Sequence, residues 1–176
     1  GASGGLGSAI AAMLAARGAT VAGTFRTEPG PFLEHADRAA AYRLDLTDAD
    51  ACADVVTRAV AGLGGLHTVV YAAGPHVPMR HLSTVTPAQL REQIDGDAVA
   101  FFNVVHSALP ALRESHGSIV AVTTAATRRH PVRDGLSTAP KAAVEALVRG
   151  LAAEEGRYGV RANCVGPGML EDGMAR

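Results

Sequence analysis

Gly1-Ala2-Ser3-Gly4-Gly5-Leu6-Gly7 is followed from Ser8 by an alanine-rich helical pattern. Glycines at 1, 5 and 7 leave no side chain between backbone and ligand. Main-chain N–H groups and a helix N-terminus can then point at a pyrophosphate. This spacing names a dinucleotide as ligand, with Gly1, Ser3, Gly5, Leu6 and Gly7 nearest to it. A second position with its own chemistry is Lys141, the one lysine beside fifteen arginines. A third is Thr127-Arg128-Arg129-His130-Pro131-Val132-Arg133-Asp134. Three arginines and a histidine there fit an anionic substrate, such as a carboxylate or an acyl carrier phosphate. They also fit a solvated, salt-bridged surface loop. His76 and His81, in a loop with Met79, have no third ligand at a metal spacing and read as lid residues, so no metal is expected.

The elements that must position these groups alternate between helix and strand. Residues 6–17 form a helix that Gly18 stops. Residues 19–25 read as a strand, Glu28-Pro29-Gly30-Pro31 as a turn, and 40–44 as a second strand ending at Asp45. Thr47 is expected to cap a helix to about residue 62, with Asp50 as the acidic half of a capping box. A strand over 66–71 closes at Ala72-Ala73-Gly74. After a loop over 75–85, Thr86, Pro87 and Gln89 supply an N-cap, a proline at N1 and the partner at N3 of one long helix to about 112. A strand at 118–122, a polar loop at 123–136, a helix at 138–156 and a strand at 160–165 complete the pattern. Glu154 and Glu155 are expected to face solvent or pair with Arg157. Phe101 and Phe102 are expected in the core or at a subunit interface. The fold class is α/β: a Rossmann-type, doubly wound parallel sheet in three α/β/α layers, covered on both faces, with residues 1–176 as one dinucleotide-binding domain. Such a glycine loop normally leaves a β-strand, so the first strand and the C-terminal part of the fold are expected to lie outside this sequence.

Hydrophobic residues make up 48% of the chain and the formal charge is −1. That balance gives no reason to expect nucleic acid or a charged membrane surface as partner. Apolar runs are too short and broken to span a bilayer. Cys52 and Cys164 are isolated and read as reduced, buried thiols of a cytoplasmic protein.

Four stretches, in order, resemble the short-chain dehydrogenases/reductases over essentially the whole chain: the glycine loop at 1–7, Asp45-Leu46, Ala72-Ala73-Gly74, and Asn163 through Pro167-Gly168. Lys141 stands where that family's catalytic lysine stands. The resemblance implies that Asp45 contacts the adenine, that Ala72, Ala73 and Gly74 line the cofactor channel, and that Pro167 and Gly168 sit near the nicotinamide. It implies a carbonyl or alcohol substrate. It also implies a dimer or tetramer built on two long helices. The family's Asn, Ser, Tyr and Lys fall on Asp97, Thr124, Ser137 and Lys141. Thr124 keeps a hydroxyl. Asp97 puts an anion where it can pair with Lys141. Ser137 replaces the phenol that serves as acid/base, a loss worth roughly 10²- to 10⁴-fold. Three repairs are open: Lys141 donates the proton, a water relays it through Ser137, or His130 or Asp134 reaches in. Tyr71 and Tyr158 do not fall at usable positions, and Tyr42 lies toward the adenine.

A carboxylate at the end of the second strand would select NAD. Phe25 stands there instead, followed by Arg26, with Arg17 at the end of the first helix. Guanidinium groups accept a 2′-phosphate bidentately, so NADP is expected ahead of NAD. Three functions remain open: an NADP-dependent oxidoreductase with an altered proton relay, a non-catalytic dinucleotide sensor that contacts a partner, and a non-redox lyase or epimerase.

Overall fold

The computed structural model describes residues 1–30 and 39–168; Pro31 of the expected turn lies outside them. The first helix, α1 (Gly5–Ala16), ends where Gly18 takes a φ of 88°. β1 (Val21–Phe25) and β2 (Ala39–Arg43) pair in parallel, with Phe25 opposite Arg43. α2 (Ala49–Leu63) begins one residue later than expected. Its cap is Asp48, whose carboxylate accepts the N–H of Ala51 at 2.9 Å. Thr47 is drawn off by Asp45, donating its N–H at 3.0 Å and its hydroxyl at 2.8 Å to the same carboxylate oxygen. This local Asx turn competes with the helix for Thr47 and wins.

β3 (Thr68–Tyr71), β4 (Ser118–Val122) and β5 (Arg161–Val165) form a parallel ladder in that order. Between β3 and β4, α3 (Pro87–Ile94) starts in the expected Thr86/Gln89 capping box. The single long helix is then interrupted. Residues Asp95–Val99 form a π turn, and α4 (Ala100–Ser115) continues from it. The stretch read as polar loop contains the short α5 (Ala126–Arg129). α6 (Gly135–Glu155) starts three residues before Thr138.

Among the described residues the strands make two ladders rather than one continuous sheet. Gly1 and Ala2 lie between them. The N–H of Ala2 donates to the Thr24 carbonyl in β1 at 3.0 Å. A Cβ on Gly1 would lie 2.4 Å from the Ala72 carbonyl oxygen, just past β3. The glycine loop therefore bridges the two ladders. Alternate strand residues face opposite ways. Val69, Tyr71, Ile119, Ala121 and Ala162 form one buried core with Phe101, Val105, Ala108 and Leu112 of α4 and Val144, Val148 and Leu151 of α6. Val70, Val120 and Val122 face the other side and are half-buried, so the second face is only partly covered by the described residues. Leu44, Cys52 and Val55 form a smaller cluster under α2. Burial pushes the Cys52 thiol up to about 11, which keeps it protonated and unreactive.

Glu155 is not paired with Arg157. It is buried at the end of α6 and takes a bidentate pair from Arg113 of α4, with N···O distances of 2.6 and 2.8 Å. Arg113 also lies over the Tyr158 ring, 4.5 Å from its centroid. Pairing across two helices is invisible to sequence spacing. The Arg113 hydrogen bonds hold the Glu155 carboxyl below the usual carboxylate range. A depressed folded value contributes stability that is present above the ordinary range and lost as pH falls through the folded value. Glu155→Gln is therefore expected to flatten the acid limb of the stability curve, read from urea midpoints between pH 7 and acid.

Candidate active site

At the phosphate end, α1 begins without a side-chain cap on Gly4 and without an acidic residue in its first turn. The N–H groups of that turn are thus left for an anion. The glycines are required by close packing. A Cβ on Gly7 would fall 1.9 Å from the Gly1 carbonyl oxygen. Ser8 closes the loop by donating its hydroxyl to the Ala2 carbonyl at 2.8 Å. Gly5 and Leu6 are exposed at the mouth, as is Ser3. Gly30, at φ 69°, lies against Ser3, where a Cβ would sit 2.9 Å from its Cα. The cradle is one that side chains would fill, and it fits a pyrophosphate. Gly7→Ala is expected to cost about 1–3 kcal/mol of loop geometry and to weaken dinucleotide binding about 5- to 150-fold in a fluorescence titration.

At the ends of the first strand pair, Arg26 is exposed just beyond β1, and Arg17 is exposed at the end of α1. Sequence reasoning missed Arg43. Its Nε donates to the Arg26 carbonyl at 3.1 Å, which puts a further guanidinium at the ends of two parallel strands. The only signal was its place as the last residue of β2, opposite Phe25. The two Thr47 hydrogen bonds, and then Arg26, hold the Asp45 carboxyl below its ordinary value and keep it charged. The Leu46 carbonyl is pinned by the Asn103 side-chain amide at 3.0 Å.

At the other end, Lys141 Nζ donates to Asp97 Oδ1 at 3.0 Å and to the Ala73 carbonyl at 3.1 Å. The Lys141 side chain is 14% exposed and that of Asp97 6%, so the expected pairing exists and is nearly dry. Burial pushes the Asp97 carboxyl above the usual range, while the Lys141 ammonium pulls it back. The π turn carries Asp97, and Gly96 packs against Pro75 beside it. Ser137 lies one turn before Lys141 on α6 and is half-buried. Pro140, between them, removes the N–H that would bond the Leu136 carbonyl. Thr124, at the end of β4, accepts the Ala126 N–H at 3.2 Å and keeps its hydroxyl proton free for a ligand. Pro167 and Gly168 are brought alongside, since the Pro167 carbonyl accepts the Ala125 N–H at 2.9 Å.

Tyr71 lies beside the pair without being placed as an acid: its hydroxyl donates to the Asp97 carbonyl at 2.9 Å, and its ring lies 5.6 Å from Lys141 Nζ. Burial pushes the phenol well above its ordinary range, so Tyr71 fixes the turn rather than acting as an acid. Phe101 buttresses it edge-on at 5.3 Å.

Two loops meet at the start of α6. The Arg80 N–H donates to the Arg133 carbonyl at 3.0 Å, and Leu82 rests on Gly135 at the start of α6. Arg80, Arg128, Arg129 and Arg133 are exposed, and among the described residues none is in an ion pair. Their exposure fits the solvated reading of this loop. His76 and His81 sit in the first of these loops, and no group of three His, Cys, Asp or Glu side chains comes together among the described residues. A cavity of about 400 Å³ lined by Thr124, Arg128, Glu145, Arg149, Asn163 and Cys164 includes none of Asp97, Ser137 or Lys141.

Known proteins resemble this chain in sequence and fold. The family model described as Enoyl-(Acyl carrier protein) reductase matches residues 1–176. L-fucose dehydrogenase of Oryctolagus cuniculus is 33% identical over 172 residues, covering 97% of this chain and 61% of that protein. Acetoacetyl-CoA reductase of Synechocystis is 32% identical over 177 residues, covering 97% and 69%. A short-chain dehydrogenase structure from Streptomyces avermitilis superposes with a TM-score of 0.88 at 30% identity, covering 97% of this chain and 64% of that one. Carveol dehydrogenase from Mycobacterium avium in complex with NAD gives 0.90 at 26%, covering 99% and 70%. The chain spans 61% or less of the L-fucose dehydrogenases it matches. With the glycine cradle, the Asp45 turn and the lysine floor already in place, this agreement over the full sequence means that the chain belongs to the short-chain dehydrogenase/reductase family.

Proposed function

We propose that the protein is an NADP-dependent oxidoreductase that reduces a carbonyl, or oxidises an alcohol, with an altered proton relay. The observation that carries this is the Lys141 ammonium, held at 3.0–3.1 Å by Asp97 and Ala73, one residue along from the Ala72 carbonyl on which Gly1 of the glycine cradle packs. Gly1, Ser3, Gly5, Leu6 and Gly7 would hold the pyrophosphate, Asp45 and Leu46 the adenine. Arg26, with Arg17 and Arg43, favours a 2′-phosphate and so NADP over NAD. Ala72, Ala73, Gly74, Pro167 and Gly168 would flank the nicotinamide. When bound, the reduced dinucleotide supplies a hydride. Thr124 and Ser137 offer hydroxyls to orient the substrate oxygen. Four exposed arginines, Arg80, Arg128, Arg129 and Arg133, none in an ion pair among the described residues, favour an anionic substrate. Exposed Val99 at the end of the π turn and Phe102 of α4, the latter stacked on His106, favour a homodimer or homotetramer through the long helices. No described helix is long and apolar enough to cross a membrane, and a cytoplasmic setting is part of the proposal.

The absence of a phenol at Ser137 supports a second reading, a dinucleotide sensor without chemistry. Titration of the full-length protein with NADPH and NADH, followed by a carbonyl panel read at the nicotinamide absorbance, separates the two. The first reading expects tighter NADPH binding and turnover of at least one carbonyl. Binding without any turnover overturns it in favour of the sensor. Arg26→Gln is expected to weaken NADPH about tenfold and leave NADH nearly unchanged.

A further inference from the structure

We infer that Lys141, held by Asp97 and the Ala73 carbonyl, is itself the acid that protonates the substrate oxygen. The inference rests on the oxidoreductase reading above. An ammonium carries three N–H donors. Two are used, on Asp97 Oδ1 and the Ala73 carbonyl, and among the described residues no third hydrogen-bond acceptor meets the ammonium. The free donor has an opening. Gly74 has no side chain, and a Cβ there would lie 3.4 Å from Lys141 Nζ and 3.7 Å from Asp97 Oδ2. A ligand atom seated over Gly74 therefore reaches the ammonium.

The other groups at hand are poorer acids, are occupied or face solvent. The Ser137 hydroxyl is far less acidic than a phenol. The Tyr71 hydroxyl is spent on the Asp97 carbonyl, and its side chain is buried. Asp134 accepts the Thr138 hydroxyl at 3.2 Å, and His130 is exposed beyond α5. In the reducing direction the substrate carbon gains a hydride from the reduced nicotinamide dinucleotide, and the C=O π pair moves onto oxygen. One N–H bond of Lys141 breaks as the O–H bond forms, directly or through the Ser137 hydroxyl, and the neutral amine takes a proton back from water. Asp97 is a positioning residue that keeps the ammonium charged and aimed between turnovers.

The test is chemical rescue. Lys141→Ala in the full-length protein, with NADPH and ethyl acetoacetate or a quinone as probe, is expected to lose about 10²- to 10⁴-fold in kcat. Methylamine and ethylamine at millimolar concentration are expected to restore kcat about tenfold or more, with rates that follow the acidity of the ammonium added. If Lys141→Ala does not fold, Lys141→Ala with Asp97→Asn removes the orphaned charge and is rescued in its place. An amine response confined to the KM for NADPH, or no response while NADPH still binds, overturns the inference and leaves the oxidoreductase reading intact. A wild-type protein that turns over no carbonyl overturns both. Asp97→Asn is expected to lower kcat with little change in KM, and an unchanged kcat removes Asp97 from the mechanism.

Discussion

Lys141→Met is expected to lower folding stability by about 3–5 kcal/mol, the range for removing one partner of a buried ion pair. The cost comes from what stays behind. Asp97 has 6% of its side chain exposed and sits in a turn pinned by Tyr71, so water solvates it poorly. Adding Asp97→Asn is expected to recover most of the loss, because a neutral amide has far less to desolvate. A double-mutant cycle from urea unfolding reads this directly. The pH dependence has a definite sign. Burial already pushes the Asp97 carboxyl up and Lys141 pulls it down. Without Lys141 it titrates higher. A raised folded value is penalised only where the group must ionise, so the deficit of Lys141→Met should be small in acid and grow as pH rises through that value. A deficit independent of pH, or a double variant no better than the single one, would count against a charged pair here.

Ser137→Tyr is expected to raise turnover about 10²-fold, the lower end of the range for a positioned acid, since Lys141 already supplies part of that role. Ser137 and Lys141 are four residues apart on α6, so a ring at 137 and the ammonium share a face. The half-buried setting of Ser137 leaves the ring a path toward the groove. The new phenol would take over the proton, and the amine response of Lys141→Ala should shrink in the Ser137→Tyr background. A Ser137→Tyr protein that binds NADPH as before but turns over no faster would mean that proton supply does not limit the wild type.

Much of this was legible in the chain because it is local. Thr86 and Gln89 name a capping box by their spacing, and the glycine loop names its ligand by what it lacks. Lys141 and Asp97 were paired by register from the family resemblance, and the geometry agrees. What was missed depends on contacts between distant segments, or on competition between neighbours. Glu155 meets Arg113 across two helices, 42 residues apart. Tyr71 reaches Asp97 across 26 residues, and an apolar strand gives no sign that its last side chain carries a hydroxyl into a site. Thr47 was read as a cap because the pull of Asp45 two residues earlier was not weighed against it.

The π turn has a consequence for chain length. The Ala100 N–H reaches back five residues, to the Asp95 carbonyl, so the helix carries one residue more than regular winding needs. Deleting Gly96 would let α3 run straight into α4 with both flanking helices kept in phase, Phe101 still on Tyr71. The carboxylate of residue 97 would be swept round by the slip and lose the lysine. A single-codon deletion at this point is thus expected to spare the helices and cost the ion pair, which sets the extra residue where the chain presents Asp97 to Lys141.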